Sequence, residues 1–538
     1  MEGYLAADVI VEPLIDRWYA WIHLLPPATA AFVVVERHLR MMESYVRSPA
    51  LHAVAAADPS TRSGPFLDLG GDRTGEVAEL LDATRACAGA QVELVDAVRR
   101  LDRMVAECAD GRPLEQLHGA VPEPLQGLVE LFHDRHHRAD FRFIEPLLYA
   151  SPLWDTSRHS VRLSRLPADG SRPFVLSTPR LATTAGGEIA VDVPVAFDAP
   201  ALDDLFRART EPTDVTELGD RLGFDRGSPA AASFHRLFTP TAPARLPRPA
   251  GVPGGRGGRL TYFGHACLLV EAAGSSILID PVIAYEDPSS PLHAGYADLP
   301  DEIDYVLITH GHHDHLLPES LLQIRHRVRT VVVPASGSGN LIDPSLRLAV
   351  EHLGFHDVVE VRPFDVIPLP GGAITALPFV GEHHDLDVSA KTCYHLQLAG
   401  RTILVAADSA NVDPAIFERA HSVVGDAEIV FQGMECVGAP ASWVYGPYFS
   451  SPLPRDHDQT RRGRASNCGE ALDLIERFHA SEVYVYAMGV EPWLGHLLGL
   501  DHVGASPALA EADRLVASCR HRGRVAERLF GHKELCWR

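Results

Sequence analysis

A cluster of side chains of the types that bind metals directly follows a short apolar run in this sequence. This segment limits the possible fold more than any other. The run Tyr305–Ile308 reads as a buried strand, and the chain continues as THGHHDHLLPESL. Side chains two residues apart point the same way in extended backbone, so His310 and His312 can bind one ion together. Asp314 and His315 stand where the chain turns towards a predicted helix, so they can reach a second ion. We therefore predict a two-metal site at the end of this strand.

Three carboxylates elsewhere in the chain stand at the ends of apolar runs. Asp280 ends the run SSILID, where it could orient a metal ligand through a hydrogen bond. Glu382 follows ITALPFVG, and Asp408 ends RTILVAAD. Asp408 could bridge two metals, although an aspartate there could also cap a following helix. Imidazole and carboxylate together suit zinc or iron. The alternative is a polar surface loop that happens to hold four histidines, and five hydrogen-bonding side chains directly after a buried strand disfavour it.

Length and charge limit the class of protein. A chain of 538 residues is too long for one hydrophobic core, so we expect at least two domains. Its 46% hydrophobic and 22% charged residues are typical of globular proteins rather than disordered ones. The formal net charge of −23 argues against nucleic acid as a partner and against docking on anionic membranes. A local basic trio is better explained as a solvated loop than as a phosphate contact: Arg461, Arg462 and Arg464.

The spacing of the cysteines and the length of the apolar runs favour a cytoplasmic location. Eight cysteines are scattered without a CxxC pair or a disulfide-framework spacing, which in a chain this long favours reduced thiols and a cytoplasmic location. The segment MEGYLAADVIVEPLIDRW lacks the basic and apolar regions of a signal peptide. No apolar run approaches the roughly 20 residues that span a bilayer, so we expect no membrane association.

The clearest predicted domain boundary is the Pro/Gly-rich stretch TPTAPARLPRPAGVPGGRGG, which begins at Thr239. Proline and glycine at this density prevent regular structure, and few contacts could cross such a stretch. We therefore predict an N-terminal domain of residues 1–240, a linker of residues 241–257 and a C-terminal domain of residues 258–538.

Apolar spacing predicts the elements of both halves. In the N-terminal half it predicts a helix over Glu76–Cys108 and a second helix over Leu125–Leu148. The segments SVRLSRL, RPFVLS and EIAVDVPVAF predict strands, so this half should be α+β. In the C-terminal half, apolar strand-like runs alternate with helical segments, as expected of two packed sheets with helices outside. Those runs are RLTYFGHACLLVEA, SSILIDPVI, YVLITH, TVVVPA, ITALPFV, YHLQLAG, RTILVAAD, EIVFQG and VYVYAM.

The metal-binding residues resemble those of the metallo-β-lactamase superfamily. Its HxHxDH signature corresponds to residues 310–315, and its upstream aspartate corresponds to Asp280. The resemblance implies an α/β chain with a C-terminal metallo-β-lactamase αββα sandwich and a separate α+β N-terminal domain. The sequence departs from the superfamily pattern twice: Glu382 takes the place of the third histidine, and Met488 and Gly489 end the strand that should supply the last histidine.

Histidines lie near both departures, so their imidazoles are alternative candidates for metal ligands. His383 and His384 directly follow Glu382, and His496 and His502 follow the second departure after the stretch PWLG. With such imidazoles as ligands, the protein would be a zinc-dependent hydrolase that attacks an ester, thioester, lactam or phosphodiester with metal-bound hydroxide. This hydrolase is the alternative function. A non-catalytic carrier-binding protein is disfavoured, because an inactive relative would not need an intact set of six ligands.

Carboxylates in place of histidines make the ligand set harder and more anionic, which suits a pair of irons that handle oxygen. With these departures, the whole chain resembles the non-haem diiron β-hydroxylases of nonribosomal peptide biosynthesis, of the type found in the chloramphenicol pathway. The resemblance implies His310, His312 and Glu382 as ligands of one iron, Asp314 and His315 as ligands of the other, and Asp408 as a ligand of both. Of these, Glu382 and Asp408 are assigned a catalytic role.

The same resemblance implies the reaction and its partners. The substrate would be an amino acid tethered as a thioester to the phosphopantetheine arm of a peptidyl carrier domain of a nonribosomal peptide synthetase, and its β-carbon would be hydroxylated. The cofactors would be a diiron cluster and O₂, with electrons from an external donor, a reductase. The N-terminal domain would help form a homodimer and receive the carrier domain.

Three further features have both a functional and a structural interpretation. Leu131–His137 places three histidines on one face of the second predicted helix, where a solvated or packed face is favoured over a metal site. His265 follows the first strand of the C-terminal half, and a position facing the metal cavity is slightly favoured over a core position. The aromatic segment Trp443–Phe449 either lines the substrate pocket or packs on the domain surface.

Overall fold

The structure is a computed structural model that describes residues 2–108, 111–181, 190–247, 257–286, 293–337, 339–499 and 506–537. Small antiparallel sheets surrounded by helices form its N-terminal half, and two seven-stranded sheets form its C-terminal half. Among the described helices, none combines the length and the apolar character that a membrane crossing requires.

The strands of the N-terminal half are short and pair antiparallel. They are β1 (Glu2–Leu5), β2 (Val9–Ile15), β3 (Trp18–Tyr19), β4 (Val129–His133), β5 (Ala139–Phe143), β6 (His159–Arg165), β7 (Ala190–Pro194), β8 (Thr213–Asp214) and β9 (Phe238–Thr239). They form sheets of order β3-β2-β6-β7 and β8-β1-β9 and the hairpin β4-β5. The predicted strands SVRLSRL and EIAVDVPVAF are confirmed as β6 and β7. RPFVLS is wrong as a strand, because its backbone bonds to another part of the chain: the Val175 N–H donates to the carbonyl of His496.

The helices of this half include the first predicted one. They are α1 (Pro27–Val33), α2 (Leu39–Arg47), α3 (Pro49–Ala57), α4 (Thr74–Cys87), α5 (Gly89–Glu107), α6 (Glu115–His118), α7 (Glu145–Tyr149), α8 (Pro200–Arg207), α9 (Val215–Arg221) and α10 (Pro229–His235). The helix predicted over Glu76–Cys108 is present but interrupted at Ala88, so it forms α4 and α5. A π-helical turn, Val34–His38, joins α1 to α2 without a break.

The second predicted helix, Leu125–Leu148, is wrong, because most of this segment is the hairpin β4-β5. The Asp134 carboxylate accepts hydrogen bonds from the backbone N–H groups of His136 and Arg138 and so stabilises the turn. His137 takes a left-handed conformation there, with φ of 62°. The three histidines therefore share no helical face. They also contribute to none of the metal-sized groups found within the described ranges.

The C-terminal half contains the predicted run of strands. They are β10 (Gly258–Tyr262), β11 (Leu268–Ala272), β12 (Ser275–Ile279), β13 (Ile303–Leu307), β14 (Val328–Pro334), β15 (Val358–Val361), β16 (Val366–Leu369), β17 (Gly372–Leu377), β18 (Cys393–Leu398), β19 (Arg401–Val405), β20 (Ile429–Gly433), β21 (Ala439–Pro440), β22 (Arg462–Gly463), β23 (Glu482–Tyr486), β24 (Val525–Arg528) and β25 (Lys533–Trp537). The helices are α11 (Pro318–Ile324), α12 (Leu346–Glu351), α13 (Pro414–Val424), α14 (Ala441–Val444), α15 (Arg455–Thr460), α16 (Cys468–Arg477), α17 (Gly495–Leu498) and α18 (Pro507–His521).

These strands form the predicted αββα sandwich. The sheet orders are β15-β14-β13-β12-β11-β10-β25 and β16-β17-β18-β19-β20-β23-β24. Alternate residues of a strand face opposite sides, so Leu268 and Val270 fill the core between the sheets while Leu269 packs outside. Helices α13, α16 and α18 cover the outer face of the second sheet.

The N-terminal half covers the outer face of the first sheet. Leu278 and Val306 on that face belong to the same buried apolar cluster as Leu25 and Phe32 from the N-terminal half. The two halves therefore share one continuous core, although a Pro/Gly-rich stretch connects them in sequence.

A buried network of ion pairs crosses this interface. Arg172 lies between Glu12 and Glu319, at 2.9 Å from each carboxylate, and Arg180 binds the other side of Glu12. The Tyr19 hydroxyl donates to Glu319 at 2.6 Å. Burial would raise the pKa of Glu12, but the two arginines hold that pKa far below its usual range. Two cations thus compensate two anions, and Glu319 ties the start of α11 to the N-terminal half.

We predict that Arg172→Met lowers the free energy of unfolding by about 3–5 kcal/mol, because it leaves the buried carboxylate of Glu319 without its cation. The measurement is urea unfolding of the full-length protein. Arg85→Ala is the matched control, since its pair with Glu43 is exposed and should contribute no more than about 1 kcal/mol. An Arg172→Met protein no less stable than the control would contradict the assigned role of the network.

Candidate metal centre

The ends of four strands converge on one site. Thr309 and the ligand run that follows it leave β13, and Asp280 leaves the parallel neighbour β12. Glu382 follows β17 and Asp408 follows β19, both in the second sheet. The site therefore lies at one edge of the sandwich, where loops from both sheets meet.

The first group of potential ligands consists of His310, His312 and Glu382. One ligand atom from each of them lies within 4.8 Å of the others, as binding to a single ion requires. His312 Nδ1 lies 2.9 Å from Glu382 Oε1. His310 is fully buried, and only 9% of the Glu382 side chain is exposed.

A second group places Asp408 between two histidines. His315 Nε2 lies 2.9 Å and His310 Nε2 lies 3.9 Å from Asp408 Oδ2. Since His310 also belongs to the first group, Asp408 is within reach of both positions. Asp314 Oδ2 lies 3.9 Å from His315 Nε2 on the far side of the site. The structure thus brings together all six residues that the sequence indicates.

Buried polar atoms that lack hydrogen-bond partners test whether a metal fits. Within the described residues, Nε2 of His310, Nε2 of His312 and Oδ1 of Asp408 are such atoms, whereas Nε2 of His315 lies against Asp408 Oδ2 and Oε2 of Glu382 lies against His383 Nδ1. Burying such groups without a partner is unfavourable. Nitrogen and oxygen donors left free in this arrangement suit a pair of metal ions such as zinc or iron.

Asp280 supports the ligands from behind. Its carboxylate accepts hydrogen bonds from the Thr309 N–H at 2.8 Å and the Thr309 hydroxyl at 2.6 Å. His315 Nδ1 lies 2.8 Å from the same carboxylate. With Nδ1 of His315 occupied by Asp280, its Nε2 is left for the metal site, which is the usual arrangement of a metal-bound imidazole.

His265, weighed above as a cavity residue, lies against the second metal position. Its Nε2 is 3.1 Å from Asp314 Oδ2, and the residue is 1% exposed. The Glu491 carboxylate accepts the His265 N–H at 3.0 Å, and the Ala487 N–H donates to the His265 carbonyl at 2.9 Å. The strand end that lacks the superfamily's last histidine therefore positions His265. Glu491 escaped sequence reasoning, because only the fold brings it next to residue 265.

Of the other histidines near the two departures, His383 lies beside the proposed ligand Glu382, whereas His384 and His496 have other partners. His383 Nδ1 lies 2.7 Å from Glu382 Oε2, and His384 Nε2 lies 2.9 Å from the carbonyl of Ala439. His496 Nε2 lies 2.7 Å from an Arg172 nitrogen, so it belongs to the interface network rather than to the metal site. His502 lies outside the described residues. In the described part of the chain, none of these imidazoles joins a metal-sized group.

The charges at this buried site are interdependent. Burial opposes ionisation of Glu382, but His312 and His383 hold its pKa well below the usual range. Burial would lower the pKa of His315, but Asp408, Asp314 and Asp280 raise it well above its usual value. Carboxylates and imidazoles therefore share protons at this buried site, and metal ions that bind here would displace those protons.

Unusual backbone conformations surround the site. His265, Asp280 and Glu382 all have positive φ, of 50°, 42° and 67°. Such conformations are unfavourable for residues with a side chain, and they are enriched at functional sites. Gly433 leaves room for the Asp408 carboxylate, since a Cβ atom there would lie 2.1 Å from Asp408 Oδ1.

The aromatic segment Trp443–Phe449 lies beside the site and has two faces. Tyr445 is buried, with its ring 5.6 Å from that of His384. The Tyr448 hydroxyl lies 2.7 Å from Nδ1 of His23, which belongs to the N-terminal half. Trp443 and Pro447 line an open cavity. Residues of the segment therefore both pack against histidines and line a cavity, so both interpretations of the sequence apply in part.

Comparisons with known families agree with this arrangement. Residues 4–243 match the family described as the diiron non-heme beta-hydroxylase N-terminal domain, and residues 259–365 match the beta-lactamase superfamily domain. A metal-dependent hydrolase of Shouchella clausii is 32% identical over 115 residues, which cover 21% of this chain and 41% of that protein.

One relative matches from end to end. The 4-amino-L-phenylalanyl-[CmlP-peptidyl-carrier-protein] 3-hydroxylase of Streptomyces venezuelae is 40% identical over 547 residues, covering 99% of this chain and 100% of that protein. The crystal structure of CmlA, a diiron β-hydroxylase from the same species, superposes with a TM-score of 0.91 at 38% identity and covers 99% of both chains. The chain therefore belongs to the diiron non-haem β-hydroxylases, a family of iron-dependent enzymes that combine a metallo-β-lactamase domain with an N-terminal domain of their own.

Proposed function

We propose that this enzyme hydroxylates the β-carbon of an amino acid held as a thioester on the phosphopantetheine arm of a nonribosomal peptide synthetase carrier domain. The end-to-end relative is named as a 3-hydroxylase of an aminoacyl group on a peptidyl carrier protein, and it supports this substrate class. The observation that carries the proposal is the carboxylate-rich donor set, in which Glu382 lies with two histidines and Asp408 is within reach of both metal positions.

We assign the ligands as the family resemblance implies, and the group of His310, His312 and Glu382 supports the first half of this assignment. His310, His312 and Glu382 would hold one iron, Asp314 and His315 the other, and Asp408 both. The buried and unpaired donor atoms of these side chains support the assignment. Oxygen donors are hard ligands that suit iron in its higher oxidation state.

Bound iron would supply the binding and activation of O₂, which attack on an unreactive C–H bond requires. One oxygen atom of O₂ enters the β C–H bond to give C–OH, and the other leaves as water with two electrons and two protons. We propose a separate reductase as the electron donor. The chain's own contribution is orientation: Asp280 directs His315, His265 Nε2 contacts Asp314, and burial keeps bulk water from the ligands.

We also propose roles for the three segments of the chain and a cellular compartment. Residues 1–240 would receive the carrier domain and form a homodimer, residues 241–257 would connect the domains, and residues 258–538 would carry the irons. All eight cysteines are free, which supports a reducing, cytoplasmic compartment.

Oxygen labelling and metal analysis test the reaction. We expect two irons per chain, turnover of the aminoacyl carrier substrate only with O₂ and a reductant, and one ¹⁸O atom from ¹⁸O₂ in the β-hydroxyl group. Mass spectrometry of the released product measures the label. Two zinc ions with turnover in the absence of O₂ would instead establish the hydrolase.

Removal of the shared carboxylate tests the ligand assignment. We predict that Asp408→Asn abolishes hydroxylation and lowers the iron content, because it removes an anionic donor from both metal positions. Asp426→Asn is the matched control, since Asp426 lies with His421 and His479 in an exposed group of the same composition. Iron analysis and single-turnover assays compare the two variants. Full turnover by Asp408→Asn would refute the assignment.

A third variant tests the support behind the ligands. Asp280→Asn should weaken iron binding by about 10- to 100-fold, because His315 and Thr309 lose the carboxylate that orients them. Chelator competition measures the affinity, and circular dichroism checks that the fold is retained. Unchanged affinity in a folded variant would show that Asp280 has only a structural role.

A further inference from the structure

An open cavity of about 300 Å³ lies between the two halves of the molecule, on the outer side of the aromatic segment. The π-helical turn Val34–His38 and the adjoining turn of α2 form one wall. Ser442, Trp443 and Pro447 contribute to the other. Neither the metal centre nor its supporting residues line this cavity.

Arg37 lines the cavity and is a buried cation for which the described residues provide no counter-ion. It is 6% exposed, and its Nε lacks a hydrogen-bond acceptor. Among the described residues, no carboxylate pairs with it, in contrast to the buried Arg172 and Arg180. Burial lowers the pKa of Arg37 to about 10, so the guanidinium remains charged at neutral pH. A buried charge in this state is unfavourable until an anion joins it.

The acidic side chain closest in sequence is already neutralised. Glu36 also lines the cavity, but it pairs with Arg40 in the next turn and with Arg99 at 2.6 Å. The Ser442 hydroxyl on the opposite wall donates to Asp458 at 2.6 Å. Arg37 therefore gives this wall an excess of positive charge, although the whole chain carries −23.

The backbone conformation at Arg37 also favours a functional site. Arg37 lies in the π-helical turn that joins α1 to α2. Such turns are rare in proteins overall, and many of those known occur at functional sites. The neighbouring His38 stacks on Trp18, with ring centroids 3.7 Å apart, which fixes the turn against the N-terminal sheet.

The segment that lines the cavity also contacts residues near the metal centre. Tyr445 and Tyr448 belong to the same short segment as Trp443 and Pro447 and contact His384 and His23. His384 follows Glu382 by two residues. The cavity and the loop of Glu382 are therefore neighbours of one aromatic segment.

We propose that this cavity binds the phosphate group of the carrier's phosphopantetheine arm, with Arg37 as the residue that recognises it. The inference rests on the proposed function, which supplies the arm as part of the substrate. A planar guanidinium donates two parallel hydrogen bonds to phosphate oxygens, and its fit to that group is better than that of lysine. An anion of a single negative charge would balance Arg37.

Calorimetric binding of two free arms to the full-length protein tests the proposal. We expect the wild type to bind phosphopantetheine about 10- to 100-fold more tightly than pantetheine, which lacks the phosphate. Arg37→Gln should abolish that difference and leave pantetheine binding unchanged, and Arg37→Lys should retain part of it. Arg47→Gln, which removes an exposed arginine of α2, is the matched control and should bind both arms as the wild type does.

The melting temperature tests whether Arg37 has a structural role rather than a role in binding. Because Arg37 has no described counter-ion, Arg37→Gln should melt at the same temperature as the wild type or higher, and phosphopantetheine should raise the melting temperature of the wild type more than that of Arg37→Gln. A marked loss of stability in Arg37→Gln would contradict the premise that this cation is unpaired.

Several results would overturn the proposal. Equal binding of both arms by the wild type, or a phosphate preference that survives in Arg37→Gln, would remove Arg37 as the recognising residue. Inorganic phosphate that binds as tightly as phosphopantetheine would show a general anion site rather than an arm site. Because these measurements involve no turnover, they are distinct from a failure of the proposed function, which would appear as the absence of hydroxylation despite normal binding of the arm.

Discussion

The hydrogen bonds of the Asp280 carboxylate are the interaction on which the rest of the metal centre depends. They join the ends of β12 and β13 and hold both Thr309 and His315, residues that begin and end the ligand run. Because Asp280 occupies Nδ1 of His315, the opposite nitrogen faces Asp408, which belongs to the other sheet. One buried carboxylate thus orients a proposed ligand of the first sheet towards a proposed ligand of the second sheet. The positive φ of Asp280 is a local cost of placing it there.

The N-terminal half secures the other end of the same ligand run. Glu319 lies in the first turn of α11, four residues after His315, and its carboxylate is held by Arg172 and Tyr19. A shift of the N-terminal half would therefore move the start of α11 and the loop before it. The shared apolar core strengthens this coupling, since the outer face of the first sheet is buried by N-terminal residues. This half is consequently a structural part of the metal centre as well as a wall of the cavity around Arg37.

The sequence predicted those parts of the molecule that local patterns determine. Apolar runs followed by polar turns indicated the strands of the sandwich, and the ligand run was recognisable because its residues are contiguous. The hairpin β4-β5 was mistaken for a helix because its turn contains no glycine or proline, and the Asp134 side chain supplies the turn-stabilising acceptor instead. Contacts between distant segments could not be predicted, such as Glu491 with His265 or Gly433 with Asp408, because no local pattern encodes them. The unpaired charge of Arg37 is also a tertiary property, since Glu36 beside it is taken by Arg99 from another helix.

The choice of carboxylate rather than imidazole at residue 382 has a consequence for the charge of the whole centre. Glu382, Asp314 and Asp408 place three anionic side chains in a buried site, and His312 and His315 respond with raised pKa values. Metal ions that bind here replace those protons as the compensating charge. A pair of ions that passes electrons changes its charge during turnover, and anionic oxygen donors stabilise the more highly charged state better than neutral nitrogen does. The metal pair of a hydrolase keeps the same charge throughout turnover, so replacing nitrogen donors by anionic oxygen donors gives it no such stabilisation. We therefore propose that Glu382, in the loop after β17, helps to separate oxidative from hydrolytic use of the same sandwich.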